Sequence, residues 1–220
     1  MKKIMFSREY GLEQAVLNGK KTMTRRVARL PEGLGRGDLW NPTMGIDDRG
    51  RVYFTFDCID GKQRDLYPQY QPGEVLAVAQ RYSDIPMSYL LKDLPEDKHW
   101  YQQRLFEQSQ GWDNKMFVMA KFMPHHIQIT NVGIGPLQDI SEEDALREGL
   151  FHYEQPPLHH EMDRFAPWPP YVKPYKHDND NLKYRCTARA AFAYLIDKVS
   201  GTGTWNSNPW TWHYEFQLQR

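Results

Sequence analysis

From residue 210 to residue 218 the large apolar side chains Trp210, Trp212, Tyr214, Phe216 and Leu218 alternate with Thr211, His213, Glu215 and Gln217. A period of two places five bulky groups on one face of a strand, so this stretch demands a sheet with one buried face. Its partner strands are read at residues 3–6, 22–27, 51–59, 75–79, 116–121 and 126–134, the run 75–79 being apolar enough to lie buried on both faces. Helical spacing appears in three places. Residues 8–18 carry Leu12, Ala15 and Val16 before a stop at Gly19; Ser141 caps a short helix with Glu142, Glu143 and Asp144 in its first turn and Gly149 at its end; residues 187–198 form the third, ended by Gly201. Strands interrupted by only two or three helices argue for an α+β fold with a curled sheet over a doubly wound parallel one.

At 220 residues the chain suits a single domain, and three stretches interrupt the pattern as insertions, at about 38–68, 83–114 and 153–182. The first contains a hairpin around residues 51–59. The second holds no period and is expected to be an irregular excursion with one helical turn near residues 100–108. The third is dense in proline, histidine and aromatics (Pro156-Pro157, Trp168-Pro169-Pro170-Tyr171), which favours extended polyproline-like backbone, with Trp168 as a candidate for stacking on a planar ligand.

Formal charge is zero, so no global basic field drives nonspecific nucleic-acid binding, and any such contact must be local. Residues 1–30 provide that locality, with eight Lys or Arg against two Glu. Two cysteines, Cys58 and Cys186, lack CxxC companions and suggest neither a zinc ribbon nor a disulfide scaffold, which fits a reducing cytoplasm. No signal-peptide core and no membrane-spanning run are present, so a cytoplasmic protein with no membrane partner is expected. The histidine groups, His125-His126, His159-His160 and His177-Asp178, lack metal-ligand spacing, and no metal site is expected.

The segment Gly19-Lys20-Lys21-Thr22-Met23-Thr24-Arg25-Arg26 carries the most chemistry. Lysine accepts a proton only when burial or a neighbouring cation lowers its pKa; Arg25, Arg26 or Lys20 could supply that cation, which makes Lys21 a candidate base. Thr24 is a candidate nucleophile for such a base. Residues three apart on a regular strand point to opposite faces, so Lys21 must sit in the turn before the strand, where Gly19 permits the bend. The competing reading is a solvated helix C-terminus whose basic residues complement the helix dipole.

Four separated pieces resemble the ASCH domain, a PUA-like β-barrel family, in the larger form often encoded by phages and prophages. They are residues 19–26, Pro72-Gly73-Glu74 leading into Val75-Leu76-Ala77-Val78, residues 137–149, and Trp205-Asn206-Ser207-Asn208-Pro209-Trp210-Thr211-Trp212. The resemblance implies a curled mixed β-barrel with flanking helices and long loop insertions. Some small ASCH proteins are amidohydrolases that deacylate N4-acylated cytidine, and similarity to them implies catalytic roles for Lys21, Thr24 and Glu148, with no cofactor. On its own, Glu148 would be read as a surface residue at a helix end. Arg25 and Arg26 are the candidate substrate-binding cations. Gln80 is a third substrate-binding candidate; it stands where many large relatives have a glutamate, keeping hydrogen bonding but losing a charge. The expected partner is a nucleoside or RNA. Other members bind or cleave RNA, so a ribonuclease, a non-catalytic RNA-binding module, and a phage-type protein that inhibits a protein partner through its insertions are the alternatives.

Overall fold

A computed structural model describes residues 1–153, 164–167 and 187–219. The elements begin with β1 (Lys2–Ile4), α1 (Leu12–Leu17) and β2 (Met23–Val27), followed by β3 (Leu39–Ile46), β4 (Val52–Cys58), β5 (Gln63–Leu66) and β6 (Val75–Val78). Then come α2 (Met87–Leu90), α3 (His99–Gln108), β7 (His126–Pro136), α4 (Glu142–Arg147), β8 (Leu150–Tyr153), β9 (Arg164–Pro167), α5 (Ala188–Ser200), α6 (Thr204–Ser207) and β10 (Trp210–Gln219). The fold is α+β.

The main sheet has the order β1-β6-β7-β10-β2, antiparallel except for the β1–β6 pair. The terminal strand sits inside this sheet, as its alternation requires: Trp210, Trp212, Tyr214 and Phe216 are all buried. The β7–β10 register shifts between Glu215 and Phe216, a bulge of the kind that bends a sheet. The bend is large. Phe6, just past edge strand β1, packs on Phe216 with ring centroids 5.6 Å apart, and Arg26 of the opposite edge strand donates to the Met5 carbonyl at 2.6 Å. The edges therefore approach through side chains, and no closed barrel forms among the described residues; β1 and β2 remain unpaired with each other.

A second sheet, β3-β4-β5, occupies the first insertion as a three-stranded antiparallel meander, more than the hairpin expected. It covers the main sheet through aromatic pairs: Phe54 meets Trp212 at 5.8 Å and Phe56 meets Trp210 at 4.9 Å, both edge-on. Strands β8 and β9 form a separate pair.

Between β6 and β7 the structure departs from the sequence expectations in two places. Residues 83–114 are more ordered than the irregular excursion expected: the helical turn read near residues 100–108 is the full helix α3, and α2 and α3 fold over a second core in which Tyr82, Leu90, Leu91, Phe106 and Met123 are buried. Only Phe106 of α3 is buried, so that helix leaves almost no apolar period to detect. Residues 116–121 are not a strand. Side chains take over their backbone polar groups: Lys3 Nζ donates to the Met116 and Val118 carbonyls, the Tyr82 hydroxyl accepts from Met119 N, and Asn114 caps Met116 N, leaving single helical turns at Lys115–Phe117 and Ala120–Phe122.

Most of the proline-rich stretch, including Trp168, lies outside the described residues, as do Cys186, His159, His160 and His177. Cys58 is buried with its thiol free. Among the described residues, no group of His, Cys, Asp and Glu suits a metal ion, and no helix is long and apolar enough to cross a membrane.

Candidate active site

The turn after α1 places Lys21. Gly19 adopts φ 67°, and the amides of Lys20 and Lys21 both return to the Ala15 carbonyl, at 2.8 and 3.0 Å, so the chain folds back before β2 begins at Met23. Lys21 thus lies in the bend, where the alternation argument required it.

On the facing side, α4 delivers Glu148. Ser141 caps this helix by accepting from Asp144 N, the Arg147 carbonyl accepts from Thr22 N at 3.0 Å, and Gly149 turns the chain away at φ 96°. Glu148 performs two tasks. Its Oε1 accepts from Arg25 N at 2.5 Å, satisfying a donor on the open edge of β2, and its Oε2 accepts from Lys21 Nζ at 2.6 Å. Lys21 Nζ also donates to the Glu148 carbonyl at 2.6 Å. The side chains of Lys21 and Glu148 are only 1% and 5% exposed, so this is a desolvated ion pair joining residues 127 positions apart.

Gly149 has no room for a side chain. A Cβ there would stand 3.3 Å from the Cβ atoms of both Ala15 and Lys21, on a backbone angle that L residues avoid. Gly149→Ala is expected to lose about 1–3 kcal/mol of stability by urea denaturation, because strain and crowding both act at the Lys21 turn.

Strand register sorts the remaining groups. Thr24 lies opposite Tyr214 and Arg26 opposite Trp212, which puts Thr24 and Arg26 on the concave face; Arg25 lies opposite His213 on the other. Arg25 is held by Asp144 at 3.1 Å, with Glu148 4.0 Å away. Lys21, Thr24, Arg25, Arg26 and Glu148 line one cavity of about 420 Å³, whose opposite wall is apolar and built from Phe6, Leu12 and the α5 residues Phe192, Leu195 and Ile196. A polar corner facing an apolar wall is the usual build of a small-molecule site. No hydrogen bond holds the Thr24 hydroxyl among the described residues.

Burial is the main force on Lys21, lowering its pKa from that of an ordinary lysine; Arg26 and Arg25 push the same way, while Glu148 opposes them. His213, behind Arg25, is pushed down to about 4, first by burial and then by Arg25.

Gln80 is placed elsewhere. It is 7% exposed, its backbone N–H donates to Met123 Sδ at 3.2 Å, and it lines a neighbouring cleft with Arg8, Glu13 and Asp84. The structure does not bring it into the Lys21 cavity. Sequence reasoning missed Asp144, the carboxylate that orients Arg25, although its position four residues before Glu148 on one helix face was a usable signal. Phe6 and Arg29 were also missed as lining residues, and no local pattern marks them.

No protein-family model matches this chain, no curated protein matches it, and no solved structure matches it. What the cavity does must follow from its own chemistry.

Proposed function

We propose that this cavity removes the acyl group from an N4-acylated cytidine-type nucleoside, and that the curled sheet is a PUA-like ASCH architecture left open along one side. The observation that supports the reaction is the convergence of Lys21, Thr24 and Glu148 on one cavity, with Lys21 and Glu148 in contact at 2.6 Å. Burial lowers the pKa of Lys21 against the opposing pull of Glu148, with the two arginines adding to the effect of burial, which brings the neutral amine that a general base needs within reach. Lys21 takes the Thr24 proton as Thr24 Oγ1 bonds to the acyl carbon, and the ammonium so formed counters the charge developing on the carbonyl oxygen. The carbon–nitrogen bond then breaks, the proton held by Lys21 passes to the leaving exocyclic amine, and cytidine departs. Water next attacks the threonyl ester, giving its proton to Lys21; that proton returns to Thr24 as the carboxylic acid is released. Glu148 keeps Lys21 aimed and partners its ammonium form in each half-reaction. The Arg25 amide is already committed to Glu148 and is not free to bind an oxyanion.

The test is incubation of the protein with N4-acetylcytidine, following the change in ultraviolet absorption as the amide is cleaved. Wild-type protein is expected to release cytidine, and Thr24→Val, which keeps the side-chain shape but removes the hydroxyl, to lose that activity. No turnover by the wild type, or undiminished turnover by Thr24→Val, removes the enzyme from this account and leaves a binding pocket.

A further inference from the structure

Arg25 and Arg26 are neighbours in sequence with opposite electrostatic situations. The Arg25 guanidinium, on the opposite face of β2, is paired with Asp144, and the buried Lys21 in the cavity is paired with Glu148. Arg26 lies on the concave face. It donates one N–H to the neutral Met5 carbonyl, its buried Nε, like that of Arg25, has no hydrogen-bond partner among the described residues, and its guanidinium carbon stands 5.8 Å from the centroid of the Phe6 ring. The more exposed Arg29 lines the same cavity. Among the described residues neither Arg26 nor Arg29 pairs with a carboxylate.

A partly buried guanidinium has surrendered some of its hydration, and a single carbonyl is poor compensation for a full charge. Among the described residues, Lys21 and Arg25 have carboxylate partners, and Arg26 and Arg29 have none. Two uncompensated planar forks beside a nucleoside-sized cavity suit an oxyanion that arrives with the ligand, and phosphate matches the guanidinium geometry. Resting on the reading that the cavity takes a cytidine-type nucleoside, we infer that its substrate is phosphorylated and that Arg26 and Arg29 hold the phosphate. The 5′-monophosphate of a free nucleotide and the phosphodiester of an RNA share this chemistry, and the experiment has an arm for each.

Equilibrium binding of cytidine, cytidine 5′-monophosphate and a trinucleotide with a central cytidine is to be measured by calorimetry on wild type, Arg29→Gln and the Arg26→Gln/Arg29→Gln pair. Thermal melts check that each variant is folded. Charge-assisted hydrogen bonds predict that at least one phosphorylated ligand binds about tenfold to about a hundredfold more tightly than cytidine. That preference should shrink with added salt, fall in Arg29→Gln and collapse in the double variant. A preference for the trinucleotide alone assigns the subsite to a phosphodiester; a preference for the monophosphate assigns it to a terminal phosphate. Equal affinity for all three ligands, no binding of any, or a preference that survives in the folded double variant overturns the inference. Because Arg29→Gln alters an exposed side chain, it keeps the test decisive even if the double variant does not fold. Binding is measured without turnover, so failure of deacylation leaves these outcomes intact. Deacylation of N4-acetylcytidine without any phosphate preference would remove the subsite and keep the reaction.

Discussion

Lys21→Met is expected to cut deacylation by at least about a hundredfold and to destabilise the fold by about 3–5 kcal/mol. Methionine retains most of the stem packed in the bend and removes only the ammonium, so the two losses share one origin. Glu148 would be left with its Oε2 unpaired in a site where its side chain is 5% exposed, facing Arg25 across 4.0 Å as its nearest remaining cation. A second substitution separates structure from chemistry. In Lys21→Met/Glu148→Gln the orphaned charge is gone, and the neutral amide oxygen can still accept from Arg25 N, so urea denaturation should show much of the lost stability restored. Activity should not return. A purely structural ion pair would give the opposite result, with stability and activity recovering together.

The second large effect lies behind the cavity and depends on pH. The His213 ring packs against β7, where a Cβ on Gly135 would come within 3.0 Å of its Cε1, and its Nε2 lies 3.1 Å from Thr211 Oγ1. Burial and Arg25 hold it neutral in the folded chain, with its pKa pushed down to about 4, against the opposing influence of Asp144. In the unfolded chain the imidazole titrates near its ordinary value of 6.5. Below that value the unfolded state therefore binds the extra proton, so this contribution is fully present above pH 6.5 and is lost as pH falls towards 4. The loss amounts to as much as about 3 kcal/mol. His213→Gln, neutral at every pH and still able to hydrogen-bond Thr211, should flatten this part of the stability profile. Parallel acid-induced changes in wild type and variant would show that His213 is not responsible.

Elements with strong local signals were legible from the amino-acid order. The alternation of residues 210–218 gave a buried strand because its large rings fill one face, and the Ser141 cap and Gly149 stop bracketed α4 because both act within a single turn. Failures came where distant residues set the outcome. Residues 116–121 have strand-like letters, but Lys3, Tyr82 and Asn114 claim their backbone groups. Helix α3 was legible only as a single turn near residues 100–108, because the core it serves needs only Phe106 from it. In the site, the bend at Lys21 followed from the period-two argument alone. The partnership with Glu148 did not, since nothing local links residues 127 positions apart; only the family resemblance suggested it. Gln80 lies in a neighbouring cleft and not in the Lys21 cavity for a related reason. Residues just past the end of β6 turn into the second core, a direction that its own letters do not specify.

A guanidinium fastens the two margins of the main sheet: Arg26 reaches from β2 to the Met5 carbonyl, with no amide ladder beside it among the described residues. That same side chain faces the cavity. An anion seated there would draw on the clasp that holds the curl, so occupancy and the tightness of the curled sheet become one linked equilibrium. A guest that leaves the Met5 contact in place would stiffen the protein, while one that competes for it would loosen the sheet from its rim inward.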